Sequence, residues 1–393
     1  MLSKIYRRRA PQEQAAGRKT FRKPAPRQRS FVPRLEPLEV RSLPSTFTVT
    51  NLNDSGSGSL RAAVLAADAH PGPDTINFKP GLSGTIRLTS GELAVTDTVK
   101  IQGPGALQIT VSGNHASRVF DISGAANVSI SGLTIADGLA TQGGGILNET
   151  GSTLSLSQCI LANNQAQGGQ GGGALLNETG ASLSLTGSTL SGNQAIAAPA
   201  SDVFGGGLLN EGTSNVTASL FRGNQALGGA SFTFFGGSVG GGIDNFGGGT
   251  LTLTNTIFVN NQAISAAGLY FGVGGALENN SGFDNTQPST AQISNCLFLD
   301  NLATGGAGAS GNGGAIDNEG VGATMTVRYT ALIGNRAVGG PNGDGVTSFS
   351  QGIGGGMLNY LGTITVNNSA FIGNQAIGGN GGSNVPVGES EGV

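Results

Sequence analysis

Residues 240–261 read GGGIDNFGGGTLTLTNTIFVNN, and this stretch contains every part of a repeat that fills most of the chain. It opens with the hexapeptide G-G-[GA]-[ILM]-x-N, continues with alternating apolar and polar residues, and closes with the tetrapeptide [FL]-x-x-N. From residue 143 onward the hexapeptide occurs seven times, and one tetrapeptide follows each copy. This strict alternation predicts a solenoid in which one repeat forms one coil.

Both motifs end in asparagine. The hexapeptides end at Asn148, Asn177, Asn210, Asn245, Asn279, Asn318 and Asn359, and the tetrapeptides end at Asn164, Asn193, Asn224, Asn261, Asn301, Asn335 and Asn374. In coils stacked about 4.8 Å apart, each side-chain amide can accept a hydrogen bond from one neighbour and donate one to the other. Because every coil carries both residues, we predict two structural asparagine ladders rather than ligand sites.

The segment between the two motifs has the pattern of a β-strand. Leu251–Thr254 and Leu154–Ser157 alternate leucine with hydroxyl residues, which is the period of two expected for a half-buried strand. We therefore expect each repeat to run strand, turn, strand, turn. The sequence predicts an all-β, right-handed parallel β-helix of about ten coils.

The repeats differ in length mostly at one place. Their spacing ranges from 29 residues between Asn148 and Asn177 to 41 residues between Asn318 and Asn359. Most of the variation lies in Gly-rich segments between the tetrapeptide and the next glycine pair. Length variation confined to one place predicts loops on one flank of a constant coil.

The composition agrees with a long, thin core. The 393 residues include 70 glycines and only 11% charged residues, a combination unsuited to an ordinary globular core. The hydrophobic fraction of 37% is nevertheless too high for a disordered chain. An elongated repeat fold satisfies both observations.

Four regions follow from these patterns. Residues 1–45 form a basic, disordered targeting or sorting tail, and residues 46–142 form a cap and irregular first coils. Residues 143–376 form the seven regular repeats, and residues 377–393 form a Gly-rich tail. After a serine cap at Ser59, the following residues have helical spacing, so we expect a short helix that covers the open end of the first coil.

The charge is divided between the tail and the body. The tail has twelve Lys and Arg against three Glu, a balance of +9, whereas the remainder has eight basic and twenty acidic residues, a balance of −12. A basic arm can bind nucleic acid. This one lacks interleaved aromatic residues, so we do not expect nucleic acid as a partner.

The two cysteines occupy the same position in repeats that lie four repeats apart. Cys159 and Cys296 would then be separated by about 19 Å, well beyond the ~7 Å Cα limit for a disulfide. The other repeats have Ser or Thr at this position. We predict two free thiols in a column of small buried residues.

The sequence indicates no membrane-spanning helix, because it contains no run of about 18 apolar residues. The first 45 residues also lack the apolar core of a secretory signal, and Arg7–Arg9 without such a core is not a convincing twin-arginine signal. The route of export is therefore not predicted.

The paired motifs resemble the GGA[ILV] and FxxN repeats of the chlamydial polymorphic outer membrane protein family. The resemblance covers residues 143–376. It implies a β-helical passenger region that mediates adhesion at a cell surface. That family ends in an autotransporter barrel, whereas seventeen residues follow Ala376, so we carry over no export mechanism. A piece of a larger surface protein is a third reading.

A second resemblance lies upstream. Residues 35–43, LEPLEVRSL, are similar to the LEPLEDR-x-L segment near the N-terminus of planctomycete-type secreted and surface proteins, with Val40 in place of an acidic residue. The resemblance implies an extracellular location or one in the cell envelope or at the outer membrane surface.

Enzymes with the pectin lyase-like fold are the main alternative. A polygalacturonase-type site needs clustered aspartates and a histidine, but the sequence has no Asp-Asp pair, and His70 and His115 precede the regular coils. A lyase needs a basic residue beside a carboxylate cluster. The only arginines of the regular region, Arg222, Arg328 and Arg336, occupy three different repeat positions. We expect no catalysis and keep a pectate lyase-like or polygalacturonase-like enzyme as the alternative.

Three consecutive hexapeptides carry an acidic residue just before their asparagine, namely Asp244, Glu278 and Asp317. Strand alternation predicts that these side chains point outward, opposite to the apolar residue before them. Like charges about 5 Å apart repel, and a bound Ca²⁺ would relieve the repulsion. We therefore consider a calcium site and, as the alternative, a solvated acidic face. No other cofactor is predicted.

Aromatic residues cluster in the variable segments, at Phe204, Phe232, Phe234, Phe235, Tyr270, Phe271 and Phe349. They either pack on one another across the loops or form an exposed platform for sugar rings or a partner. The sequence thus predicts a non-catalytic, adhesin-like or structural protein, secreted or at the cell surface. Its expected partner is a polysaccharide or a surface protein, and its oligomeric state is not predicted.

Overall fold

The computed structural model describes residues 44–199, 201–229, 237–266, 271–282, 287–341 and 350–379. Every sheet in these residues is built from parallel strands, and they pair in register from one coil to the next except for a shift between Leu139–Gln142 and Gln165–Gly171. The predicted right-handed parallel β-helix is confirmed. Each regular coil passes in turn through four sheets, which we name C, A, B and D.

Sheets C and A flank the first asparagine column. Sheet C contains Leu93–Val95, Phe120–Ile122, Ile146–Asn148, Leu175–Asn177, Leu208–Asn210, Ile243–Phe246, Leu277–Asn280, Ile316–Glu319 and Met357–Tyr360. Sheet A contains Thr46–Val49, Asp74–Phe78, Val99–Gln102, Asn127–Ser131, Thr153–Ser157, Ser182–Thr186, Thr213–Thr217, Thr250–Thr254, Thr290–Ser294, Thr324–Arg328 and Thr363–Asn367.

Sheets B and D flank the second asparagine column. Sheet B contains Gly84–Arg87, Ile109–Ser112, Thr134–Ala136, Ile160–Ala162, Thr189–Ser191, Leu220–Arg222, Ile257–Val259, Leu297–Leu299, Ala331–Ile333 and Ala370–Ile372. Sheet D contains Leu139–Gln142, Gln165–Gly171, Gln194–Ile196, Val203–Phe204, Gln225–Leu227, Ser238–Val239, Gln262–Ile264, Gly272–Val273, Leu302–Thr304, Gly311–Asn312, Arg336–Val338, Gly352–Ile353 and Gln375–Ile377.

A regular coil has more strands than the predicted pattern of strand, turn, strand, turn. Single residues in the left-handed conformation divide it, such as Asn255 with φ 53° between sheets A and B and Asn260 with φ 55° between sheets B and D. From the second to the sixth repeat, sheet D receives two strands from each coil, and the variable segments lie between them. Most of the length variation lies on this flank, as predicted, but the fifth repeat is also longer between sheets C and A, with 22 residues from Asn279 to Asn301 against 16 from Asn245 to Asn261.

The glycine pairs make the turn from sheet D to sheet C. Gly240 has φ +62°, a conformation that costs glycine little. A Cβ at Gly241 would collide with the carbonyl oxygen of Gly275 in the next coil. The first glycine of the pair therefore supplies a backbone angle, and the second allows two coils to approach closely.

The short helix runs over Leu60–Asp68. Ser59 Oγ accepts a hydrogen bond from the backbone N–H of Ala62 at 3.1 Å, which is the predicted cap. Leu60 and Val64 are among the helix side chains buried in the same core as the first strands. The helix contacts Thr46–Val49 and Asp74–Phe78, and thus covers the end of the coil as expected.

The core is a column of apolar side chains from sheets A, B and C. It contains the stacked rings of Phe221, Phe258 and Phe298, and the centroids of successive rings are 4.9 and 4.7 Å apart. These distances match the spacing between coils, so identical side chains at one repeat position stack directly on each other.

Both asparagine ladders are present as predicted. In the first column, Asn245 Nδ2 donates to Asn279 Oδ1 at 2.7 Å, and the column is continuous from Asn148 to Asn359. In the second column, Asn261 Nδ2 donates to Asn301 Oδ1 at 3.0 Å and to the carbonyl oxygen of Phe221 at 3.0 Å. The asparagine side chains thus form hydrogen bonds with one another and with backbone groups of the buried turns.

The cysteines lie as predicted in a column of small residues. Cys159 and Cys296 are buried and free, and the backbone N–H of Cys159 donates to Ser188 Oγ at 3.0 Å. Burial raises the pKa of the Cys159 thiol and raises the pKa of Cys296 to about 11. Among the described residues, no helix is long and apolar enough to cross a membrane.

We expect Asn261→Ala to lower the free energy of unfolding by about 3 kcal/mol, because buried donors lose their partner. Asn261 Oδ1 accepts hydrogen bonds from the backbone N–H of Asn224 at 3.1 Å and from its side chain at 2.9 Å. Chemical denaturation monitored by circular dichroism measures the change. The control is Asn215→Ala on the exposed face of sheet A, with an expected change below about 0.5 kcal/mol. Equal effects of both substitutions would contradict the ladder.

The thiols should react with a disulfide reagent at pH 8 only after denaturation, because both are buried and their pKa values are raised. Spectrophotometric titration should detect two thiols in denaturant and none in the native protein within minutes. Rapid reaction of the native protein would contradict the burial of this column.

Candidate functional site

The acidic ladder is in register but is not exposed. Asp244 pairs with Glu278, and Glu278 pairs with Asp317, along sheet C. All three side chains are fully buried, so the prediction that they face solvent is wrong. At the same position of the preceding coil, Leu209 belongs to a cluster with Phe204 and Val239 of sheet D. The acidic side chains lie on the same outer side as this leucine, which the second strands of sheet D cover.

These carboxyl groups lack the partners that buried charges require. Both oxygens of Asp244 and Asp317 and one oxygen of Glu278 have no hydrogen-bond partner. The other oxygen of Glu278 accepts from Asn280 Nδ2 at 3.2 Å. The described residues contain five ion pairs, and none includes these three side chains.

Burial therefore governs how the ladder ionises. Burial is the main cause that raises the pKa of all three groups well above the ordinary range. The neighbouring carboxylates of Glu211 and Glu319 raise the pKa of Asp244 further, and Asp317 and Glu319 do so for Glu278. Protonation removes the repulsion between the carboxylates, so no bound Ca²⁺ is needed to relieve it.

The calcium hypothesis assumed that these carboxylates are exposed and repel one another, and the burial of all three removes that assumption. In the part of the chain that the structure describes, no group of three His, Cys, Asp or Glu side chains is arranged to hold a metal ion. Calcium binding at Asp244, Glu278 and Asp317 stays a prediction, and the protonated form of the ladder disfavours it.

A second set of acidic residues lies one position further along the coil, directly after the first asparagine column. This acidic edge consists of Glu149, Glu178, Glu211 and Glu319. Glu178 Oε2 accepts hydrogen bonds from the backbone N–H and the hydroxyl of Thr150, at 2.9 and 3.1 Å. Burial, followed by the charge of Glu178, raises the pKa of Glu211. This edge is not among the predicted sites, although glutamate directly follows the final asparagine in four of the seven hexapeptides.

A cleft of about 370 Å³ opens beside the acidic edge. It is lined by Thr179, Glu211, Phe246, Gly247, Ser281, Gly282 and Gln287. The ring of Phe246 packs at 5.0 Å against the ring of Phe204, with an angle of 34° between their planes. We name this site the edge cleft.

The predicted aromatic loop site is only partly described. Phe204 is 5% exposed and supports Phe246, so it packs inside the protein and is not part of an exposed platform. Phe271 is half exposed. Phe232, Phe234, Phe235, Tyr270 and Phe349 lie outside the described residues.

The residues considered for catalysis do not converge in the described structure. Arg222, Arg328 and Arg336 are exposed on sheets B, A and D, respectively. His70 contacts Asp74 at 3.2 Å near the first coil, and His115 lies 3.9 Å from Asp137. Among the described residues that line the edge cleft, the functional groups are a carboxylate, hydroxyls, an amide and one aromatic ring.

No family model and no curated protein matches this chain. Among solved structures, a mannuronic acid specific polysaccharide family 6 lyase from human gut microbiota is 8% identical, with a TM-score of 0.26, over 83% of this chain and 87% of the lyase. The catalytic unit of a GH87 α-1,3-glucanase from Streptomyces thermodiastaticus strain HF3-3 is 14% identical, with a TM-score of 0.22, over 81% of this chain and 68% of the glucanase. Similarity at this level carries no functional argument.

The buried ladder should make the fold most stable at mildly acidic pH. Above the unfolded carboxyl pKa of about 4, the native state holds more protons than the unfolded state until the raised native pKa values are passed. The free energy of unfolding should therefore fall as the pH rises through this window. Denaturation series between pH 4 and pH 9 measure the slope.

The triple variant Asp244→Leu, Glu278→Leu and Asp317→Leu should flatten that slope and raise the stability at pH 8. Leucine fits because Leu147, Leu176, Leu209 and Leu358 occupy this position in the other four repeats. Glu149→Gln, a change on the acidic edge, is the control and should retain the slope. A triple variant with an unchanged slope would show that the ladder is not the source.

Proposed function

We propose that this chain is a non-catalytic β-helix protein, secreted or held at the cell surface, which acts in adhesion or as a structural element and binds a polysaccharide or a partner protein. The observation that carries the proposal is the pair of continuous asparagine ladders through seven coils. At about 4.8 Å per coil, they define a rigid rod of roughly 34 Å. A rod of constant cross-section is suited to presenting variable surfaces at fixed spacing.

The variable segments support a display role. They join the two strands that each coil contributes to sheet D, as between Leu227 and Ser238 or between Val338 and Gly352. Their insertion leaves the register of the flanking strands intact, since Ile264 still pairs with Thr304 and Val273 with Asn312. Sequence can therefore change there without cost to the rod.

The proposed location rests on the two resemblances in the sequence. The GGA[ILV]/FxxN repeats are typical of surface-exposed passengers, and residues 35–43 are similar to a segment of secreted and surface proteins. Fractionation of native cells with an antibody against the β-helix should place the protein in the envelope or the medium. Recovery in the cytosol would contradict surface display.

One observation favours the alternative of a carbohydrate-active enzyme. Glu178 and Glu211 follow paired asparagines of adjacent coils, and the burial that raises the pKa of Glu211 is the environment of a general acid. A second carboxylate close by completes the minimal set for glycoside hydrolysis. This pair, rather than any histidine or arginine, would carry the activity.

Prolonged incubation with neutral and acidic polysaccharides decides between the two functions. We expect no new reducing ends and no unsaturated ends, measured by a reducing-sugar assay and by ultraviolet absorbance. Release of ends by the native protein, lost in a Glu178→Gln/Glu211→Gln variant, would replace the proposed function with the enzymatic one. Release retained in that variant would contradict both the non-catalytic proposal and this assignment of the acid pair.

A further inference from the structure

The edge cleft has the chemical composition of a sugar-binding site. An aromatic ring from Phe246, a carboxylate from Glu211 and an amide from Gln287 line one concave surface. Aromatic faces pack against the C–H groups of sugar rings, while carboxylates and amides accept and donate hydrogen bonds to hydroxyl groups. The cleft volume of about 370 Å³ lies at the lower end of the range for small-ligand pockets.

The ring of Phe246 packs against the ring of Phe204. It occupies the position that follows the first asparagine column, where the preceding coil has Glu211 and the next has Asn280. Phe204 packs against it, and Phe204 itself is buried against Leu209. A supported ring loses little conformational freedom when it contacts a ligand.

Glycine opens the cleft at this coil. After Phe246 the chain continues as Gly247-Gly248-Gly249, with φ values of +53° at Gly247 and +90° at Gly248. A Cβ at Gly247 would meet no atom within 4 Å, so this side of the cleft is open space. The turn therefore contributes backbone but no side chain where a ligand would enter.

The charge around the cleft selects the class of sugar. Glu211 lines it and Glu178 lies on the preceding coil, while no Lys, Arg or His is among the described residues that line it. A uronic acid polymer would bring like charge to this surface, which disfavours its binding. A neutral sugar can instead donate its hydroxyl groups to the carboxylate of Glu211.

We propose that the edge cleft binds a ring of an uncharged polysaccharide, stacked on Phe246 and hydrogen-bonded to Glu211 and Gln287. The inference rests on the proposed function, since it names the ligand class and the site of a glycan-binding rod. It places recognition on the turn between sheets C and A, away from the variable segments of sheet D.

The test is affinity gel electrophoresis of the full chain with soluble β-glucan, mannan and xylan as neutral probes, and with polygalacturonate and alginate as anionic probes. We expect retardation by at least one neutral probe and none by the anionic probes. Phe246→Leu, which keeps an apolar contact with Phe204, should weaken binding at least about tenfold. Gly247→Asn tolerates the positive φ and should block the cleft with a similar loss.

The matched control is Tyr360→Leu. Tyr360 occupies the position of Phe246 in the last described coil and does not line the edge cleft. Its substitution should leave the retardation unchanged, and thermal melts should show that all variants fold.

Three outcomes would overturn the inference. They are no retardation by any neutral probe, stronger retardation by an anionic probe, and retained binding in both cleft variants. Retained binding in both cleft variants would leave the proposed glycan-binding function standing and refute only the site. Release of sugar ends would refute the non-catalytic proposal while the cleft assignment stood.

Discussion

The fold depends on buried side-chain amides that repeat once per coil. An asparagine at a fixed repeat position uses its carbonyl oxygen towards one neighbour and its amino group towards the other, so each rung satisfies the next. The second column also binds the backbone, because Asn261 donates to the carbonyl oxygen of Phe221 and its Oδ1 accepts from the N–H of Asn224. Sharp turns with buried polar backbone are stable only because these partners recur at the coil spacing.

The buried acidic ladder also arises because each repeat position places one side chain per coil in the same environment. A repeat position that contacts sheet D holds leucine in four coils and a carboxyl group in the other three. Leucine packs there against Phe204 and Val239. The carboxyl groups occupy the equivalent places, and among their oxygens only one of Glu278 has a hydrogen bond, from Asn280, to offset burial. Stability and charge are therefore linked at this position, and the fold tolerates the acids by favouring their neutral form.

The half-buried acidic residues at the edge of the coil have a different consequence. Glu178 is held by Thr150 and lies beside Glu211, which borders an open cleft with a supported aromatic ring. No Lys, Arg or His is among the described residues that line the cleft, and such an acidic surface disfavours anionic polymers and favours hydroxyl groups as ligands. The proposed binding and the alternative of hydrolysis share Glu211, and they differ in whether the glycosidic bond is cleaved.

The sequence by itself determined the repeat, the parallel β-helix, both asparagine ladders, the cap at Ser59 and the column that contains Cys159. These features are periodic or local, so a pattern of residue types is enough to specify them. Only the tertiary structure decided which outward-facing positions are covered. Strand alternation placed Asp244 on the outer face of sheet C, but the second strands of sheet D bury that face. The edge cleft likewise depends on residues from different coils, Glu211, Phe246 and Gln287, which no single repeat brings together.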